Sequence, residues 1–183
     1  MKYLIIGLGN PGKEYIGTRH NIGFEVLNNL IKNSSIEFRS DRYASIAEFK
    51  YKARTLILVK PNTFMNLSGK AVNYWFHKNK IDINKTLVVT DDISLDFGVL
   101  RMRSKGSDGG HNGLKDINAK LGRVDYPRLR FGVGSDFPKG RQAEYVLSKW
   151  SKEEDAVLSE RILIAIEMIK SFCTEGINES MNK

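Results

Sequence analysis

"KYLIIGL" at residues 2–8 is a short, almost uninterrupted apolar run. A strand covered by helices on both faces has this pattern. The run passes directly into Gly9-Asn10-Pro11-Gly12, so it is too short for the apolar core of a secretory signal. Outward from it, strand-like and helix-like patterns alternate. Ile22, Val26, Leu27, Leu30 and Ile31 recur at helical spacing over 21–32. "ASIAEFKY" at 44–51 and "TLILVK" at 55–60 read as paired strands, and 66–79 reads as a helix burying Ala71, Val72, Trp75 and Phe76. "TLVVTDD" at 86–92 is a strand ending in carboxylates, "VLRMR" at 99–103 a half-buried strand, 112–121 a short helix and "RLRFGVG" at 128–134 another strand. Ser151 with Glu154 forms a capping box that opens a helix carrying Val157, Leu158, Ile162, Ala165, Ile166 and Ile169, with Gly176 as its stop. Such alternation predicts one α/β domain over 1–183: a mixed, mostly parallel twisted sheet flanked by helices, with 178–183 a frayed tail. Sites in such folds gather at the carboxyl ends of the strands.

Lys and Arg number 29 against 21 Asp and Glu, a net charge of +8, which favours an anionic partner. No block of like charge exists, so the basic residues act through the folded surface and not as a tail. A single cysteine, Cys173, excludes an internal disulfide and suits a reducing compartment. It reads as an apolar filler on a helix. The longest apolar runs, such as "TLILV" at 55–59, are far too short to span a bilayer. A cytoplasmic protein without membrane association is therefore expected.

Four segments carry polar groups that a bland fold does not require. "GLGNPGKEYIGTRHN" at 7–21 contains GxGxxG, the dinucleotide fingerprint. That fingerprint needs a helix to begin at once. Here Pro11 biases Asn10 away from helical angles, and the helical pattern starts only near residue 20. The loop instead presents Asn10, Tyr15, Arg19, His20 and Asn21. "KPNTFMNLSGKAV" at 60–72 places Asn66 just before a helix, where it is either a cap or a ligand-binding amide, beside the apolar pair Phe64–Met65. "VVTDDISLDFG" at 88–98 sets Asp91 and Asp92 at the end of a buried strand, where a carboxylate can orient a histidine and favour its charged form. "SKGSDGGHNGLKD" at 104–116 frees backbone N–H groups ahead of a helix, close to His111 and Asn112; the plain alternative is a flexible loop with an Asn cap. GxSxG, HExxH and CxxC are absent, and the three histidines lack metal-ligand spacing. A hydrolase built from these parts would activate water through a histidine.

Taken together, in this order and at this spacing, "GLGNPGKEYIGTRHNIGF", "PNTFMNLSGKAV", "DDISLDFG", "GGHNGLKD" and "RLRFGVG" resemble the bacterial-type peptidyl-tRNA hydrolase family. The resemblance runs from residue 2 to about 150, with a compatible helical tail. One departure is Ser94, where the family usually has an acidic residue. The resemblance implies hydrolysis of the ester between a peptide and the tRNA 3′ end, releasing tRNA for reuse in translation, with no cofactor or metal. It implies His20 as general base, Asp91 as its partner and Asn10 near the tRNA side of the ester. Asn66 and Asn112 would hold peptide and oxyanion, with Met65, Phe64 and Tyr15 lining the cleft. Arg103 and Arg130 would grip the tRNA 5′-phosphate, for which guanidinium forks are suited, and Lys139 and Arg141 would belong to a mobile lid. The expected partner is peptidyl-tRNA, bound by a monomer. Two other readings are a non-catalytic RNA-binding protein on the same scaffold and, from GxGxxG alone, a dinucleotide-dependent oxidoreductase.

Overall fold

A computed structural model describes residues 1–183. Strand β1 (Lys2–Gly7) lies at the centre of a seven-stranded sheet. The other strands are β2 (Arg39–Asp41), β3 (Ala44–Tyr51), β4 (Arg54–Pro61), β5 (Thr86–Asp92), β6 (Leu100–Arg103) and β7 (Arg128–Gly132), in the order β2-β3-β4-β1-β5-β7-β6. β4, β1, β5 and β7 run parallel; β3 pairs antiparallel with β4, β2 antiparallel with β3, and β6 antiparallel with β7. The expected mixed, mostly parallel sheet is what forms.

Both faces of β1 are covered, as its apolar run requires. Leu4 and Ile6 join Val72, Trp75, Leu114 and Ile117 beneath helices α2 (Ser68–Asn79) and α3 (Asn112–Leu121). Tyr3 and Ile5 face Val26, Leu27, Ile162 and Ile166 of helices α1 (Ile22–Ile31) and α5 (Lys152–Glu175). Gly7 and Gly23 let α1 lie directly on β1: a Cβ on Gly23 would come within 2.4 Å of the Leu8 nitrogen, and one on Gly7 within 2.3 Å of the Gly23 oxygen. No dinucleotide turn is present. Two 3-10 turns, Lys13–Tyr15 and Arg19–Asn21, intervene before α1.

α5 opens with the expected Ser151–Glu154 capping box and stops at Gly176. Residues 178–183 are not simply a frayed tail. A short helix α6 (Ile177–Ser180) buries Ser180, whose hydroxyl donates to the Gly176 carbonyl at 2.8 Å, and Met181 packs on the core. The helix expected over 66–79 begins at Ser68, after a 3-10 turn at Met65–Leu67. β2 and the short helix α4 (Gln142–Val146) have no counterpart in the sequence pattern; three and five residues are too few to show a periodicity. No helix is long and apolar enough to cross a membrane.

Candidate active site

The carboxyl ends of β1 and β5 deliver Asn10 and Asp91 to the floor of a cleft of about 1000 Å³. Asp91, at 3% exposure, is gripped from two sides. His20 Nδ1, on the 3-10 turn before α1, lies 2.8 Å from Asp91 Oδ2. His111 Nε2 lies 2.8 Å from Asp91 Oδ1 and 3.0 Å from the Thr90 hydroxyl. The imidazole rings are 4.9 Å apart, tilted by 47°.

The sequence places His111 near this helix start but does not disclose its role. It is the N-cap of α3, its Nδ1 accepting from the backbone N–H groups of Gly113 at 3.1 Å and Leu114 at 3.3 Å. A ring nitrogen that accepts carries no proton, so the N–H of His111 is on Nε2 and donates to Asp91. The remaining oxygen of Asp91 then accepts the Nδ1–H of His20, leaving His20 Nε2 bare toward the cleft, where it makes no hydrogen bond to protein. Burial by itself would lower the His20 pKa; the charge and hydrogen bond of Asp91 outweigh it and raise the pKa. Burial would likewise raise Asp91, yet the two histidines hold it well below the carboxylate range. His20, Asp91 and His111 are close enough together for a metal ion. The His111 cap keeps a proton on the nitrogen that would have to bind one.

Asn10 is oriented by its neighbours. Its Oδ1 accepts from the Met65 N–H at 2.6 Å, which turns the amide NH₂ toward the cleft. Its backbone is clamped on both sides by Asn21, which accepts from Asn10 N–H at 2.8 Å and donates to Asn10 C=O at 3.0 Å. In the sequence Asn21 is only one polar loop residue among several. Asn66 and Asn112 are exposed, line the cleft and make no side-chain hydrogen bonds within the protein. Neither is a cap: Leu67 precedes α2 without a side-chain bond, and His111 caps α3. Met65 is buried against Gly113, where a Cβ would approach its sulfur to 2.7 Å. Phe64 is 54% exposed on the cleft wall. Tyr15 does not reach the wall; it packs edge-on behind Phe64, with centroids 6.3 Å apart.

The basic end of the cleft belongs to β6 and β7. Arg103 pairs in register with Arg128, two residues from Arg130, so Arg103 and Arg130 share a face as diagonal neighbours, about 7–8 Å apart. Both line the cleft, as does Lys139. Arg130 is already engaged: its Nε donates to Asp92 at 2.6 Å and an Nη to the Ser94 hydroxyl at 3.1 Å. Ser94, the departure noted in the sequence, thus serves as an acceptor that orients Arg130. Arg103 makes no ion pair and donates only to the Met102 carbonyl.

Comparison with known proteins agrees with this geometry. The sequence profile of the family described as "Peptidyl-tRNA hydrolase" matches residues 4–183. A peptidyl-tRNA hydrolase of Phocaeicola vulgatus is 54% identical over 183 residues, covering 100% of this chain and 98% of the relative. One of Cytophaga hutchinsonii is 55% identical over 182 residues, covering 100% and 97%. The crystal structure of peptidyl-tRNA hydrolase from Acinetobacter baumannii superposes with a TM-score of 0.92 at 32% identity, covering 98% of this chain and 92% of that one.

Proposed function

Since the chain belongs to the peptidyl-tRNA hydrolase family, we propose that it cleaves peptidyl-tRNA with His20 as the general base. The observation that carries this reading is the chain from His20 through Asp91 to the capping His111. It fixes the base nitrogen and opens into a cleft with peptide-binding amides on one side and guanidinium groups on the other.

In the proposed reaction, His20 Nε2 takes a proton from water as the water oxygen attacks the ester carbonyl carbon. The C=O electrons move onto oxygen. In this reading the Asn10 NH₂, turned into the cleft by Met65, donates to the substrate beside the base, and Asn112 holds the oxyanion. Collapse of the tetrahedral intermediate breaks the bond to the terminal ribose oxygen, which leaves with the proton returned by His20. The products are a peptide carboxylate and a tRNA with a free 3′ end. Asp91 stabilises the imidazolium that forms in between. A positioned base contributes about 10²–10⁴-fold and an oxyanion donor on the order of 10²–10³, so the mechanism calls for no metal or cofactor. Asn66 and Asn112 bind the peptide backbone, which leaves its sequence unread, while Met65 and Phe64 wall the cleft and Tyr15 buttresses Phe64. Arg103 and Arg130 hold the 5′-phosphate, and Lys139 closes over the RNA.

The test is release of free tRNA from N-acetyl-aminoacyl-tRNA by purified protein, with His20→Ala as control. A protein that binds the substrate without releasing tRNA would be the non-catalytic RNA binder instead.

A further inference from the structure

A second feature lies at the opposite edge of the sheet from the arginines, beside the β2–β3 turn. Arg42, Tyr43, Lys70, Tyr74 and Lys78 form one exposed to half-buried strip there. The Tyr43 and Tyr74 rings meet edge-on at 5.7 Å. The Arg42 guanidinium lies 5.2 Å from the Tyr43 ring and 5.1 Å from the Tyr74 ring. Lys70 is 5.5 Å from Tyr43, and Lys78 is 5.6 Å from Tyr74. None of these three cations is in an ion pair, and the neighbouring Asp41 is already paired with Arg39 at 2.9 Å. The turn that presents them is fixed. Tyr43 holds a left-handed φ of 62°, costly for an aromatic residue. Trp75 donates to the Arg42 carbonyl at 2.8 Å, and the Asn62 N–H to the Tyr43 carbonyl at 2.9 Å.

The position of the strip identifies its partner. Ala44 at the start of β3 pairs with Pro61 at the end of β4, so the turn stands at the same end of the sheet as the cleft. α2 starts just past the cleft-lining Phe64, Met65 and Asn66, placing Lys70 in its first turn, four residues beyond Asn66. Four strands (β4, β1, β5 and β7) separate β3 from β6. Tethering the RNA at Arg103 and Arg130 sends the other half of the substrate, the peptide, out past Asn66.

We propose that this strip binds the peptide part of peptidyl-tRNA and favours peptides with acidic side chains a few residues before the ester. The proposal rests on the functional reading above. Lys70 and Lys78 lie about 3 and 15 Å along α2 from its first residue, Ser68, which is two residues beyond Asn66, at 1.5 Å per residue, and an extended peptide rises about 3.3 Å per residue. The favoured acidic positions are therefore roughly two to six residues from the ester. The cations supply charge complementarity and the tyrosines flat apolar faces, so the strip selects for side-chain charge and not for a particular peptide sequence.

The experiment compares kcat/KM for peptidyl-tRNAs carrying hexapeptides that are acidic, neutral or basic at those positions, together with N-acetyl-aminoacyl-tRNA, which is too short to reach the strip. Wild type is expected to prefer the acidic over the basic peptide roughly fivefold at low salt, the sum of a few exposed charge contacts, with the preference fading at high salt. Arg42→Ser/Lys70→Glu/Lys78→Glu should abolish or reverse the preference and leave N-acetyl-aminoacyl-tRNA unaffected; single Lys70→Gln and Lys78→Gln variants give smaller losses if the triple variant unfolds. Equal ratios in wild type and variants overturn the proposal. A uniform loss on all substrates, including the short one, also overturns it and makes the strip an RNA surface. Failure to hydrolyse any substrate would instead refute the functional reading.

Discussion

Replacing Asp91 by Asn tests whether His111 fixes the tautomer of His20. The His111 cap uses Nδ1 as an acceptor, so its Nε2–H needs an acceptor, chiefly Asp91 Oδ1 at 2.8 Å, with the Thr90 hydroxyl more distant at 3.0 Å. The substituted amide can offer only one oxygen. Turned toward His111, it sets its NH₂ against His20 Nδ1, forcing the His20 proton onto Nε2 and abolishing the base. The reverse orientation restores the base but opposes two donors at His111, costing about 1–3 kcal/mol for an unmade buried bond, or about 5–150-fold in population. Loss of the anion also lowers the His20 pKa and removes a hydrogen bond to a charged partner, worth about 1.5–3 kcal/mol. Together these give a fall in kcat/KM on the order of 10³–10⁴. Because the anion that raised the His20 pKa is gone, the acidic limb of the pH–rate profile should move to lower pH. The specific consequence is rescue. His111→Ser keeps an N-cap acceptor but is too short to reach residue 91, so it frees the new amide to turn its oxygen to His20. Asp91→Asn/His111→Ser should therefore be about tenfold or more faster than Asp91→Asn, although His111→Ser alone slows the wild type. Single-turnover release of free tRNA across pH 5–9 measures all four proteins. A double variant no faster than Asp91→Asn refutes the tautomer lock, and an unchanged profile in Asp91→Asn removes Asp91 from the mechanism.

Other outcomes follow from the same structure. His20→Ala should lose nearly all turnover with RNA binding intact in a gel-shift assay; retention of more than about a tenth of wild-type turnover is incompatible with a general base. Arg103→Ala and Arg130→Ala should each raise KM for peptidyl-tRNA, lower the log–log salt slope by roughly 0.7–0.9, and leave a peptidyl-adenosine substrate untouched. If wild type and variants lose the same factor on removal of the 5′-phosphate, no clamp exists. Gly23→Ala drives a methyl into the Leu8 backbone and should cost about 2–3 kcal/mol, roughly 5–10 °C in Tm; an unchanged melt contradicts the close β1–α1 contact. Glu25, raised to about 7 by burial and by Asp155, binds its proton more tightly folded than unfolded, so its contribution to stability is lost as pH rises from about 4.5 through 7. Glu25→Gln should accordingly stabilise the protein by about 1–2 kcal/mol at pH 8 and by nothing at pH 4 in denaturant titrations.

Much of this protein is determined locally. The run at 2–8, the helical spacing at 22–31 and the capping box at 151–154 depend on neighbours within a few residues, and each forms as its sequence predicts. Polar groups cluster where strands end, and of the residues that the sequence and its family resemblance single out for the site, all but Tyr15 and Arg141 line the cleft. Position alone does not reveal what His111 and Asn21 do. Their partners are 20 and 11 residues away, His111 reaching back to the end of β5 and Asn21 to the far end of the loop that follows β1, separations no local pattern encodes. The same holds for Asn66 and Asn112, which read equally well as helix caps until the fold gives one cap to His111 and leaves both amides free. It holds also for the ring contacts between Tyr43 and Tyr74, which require a turn at one end of β3 to meet a helix that starts beyond β4. Periodicity and capping are short-range and can be read from the chain; hydrogen-bond direction, tautomer and the juxtaposition of distant side chains are decided only when the sheet closes.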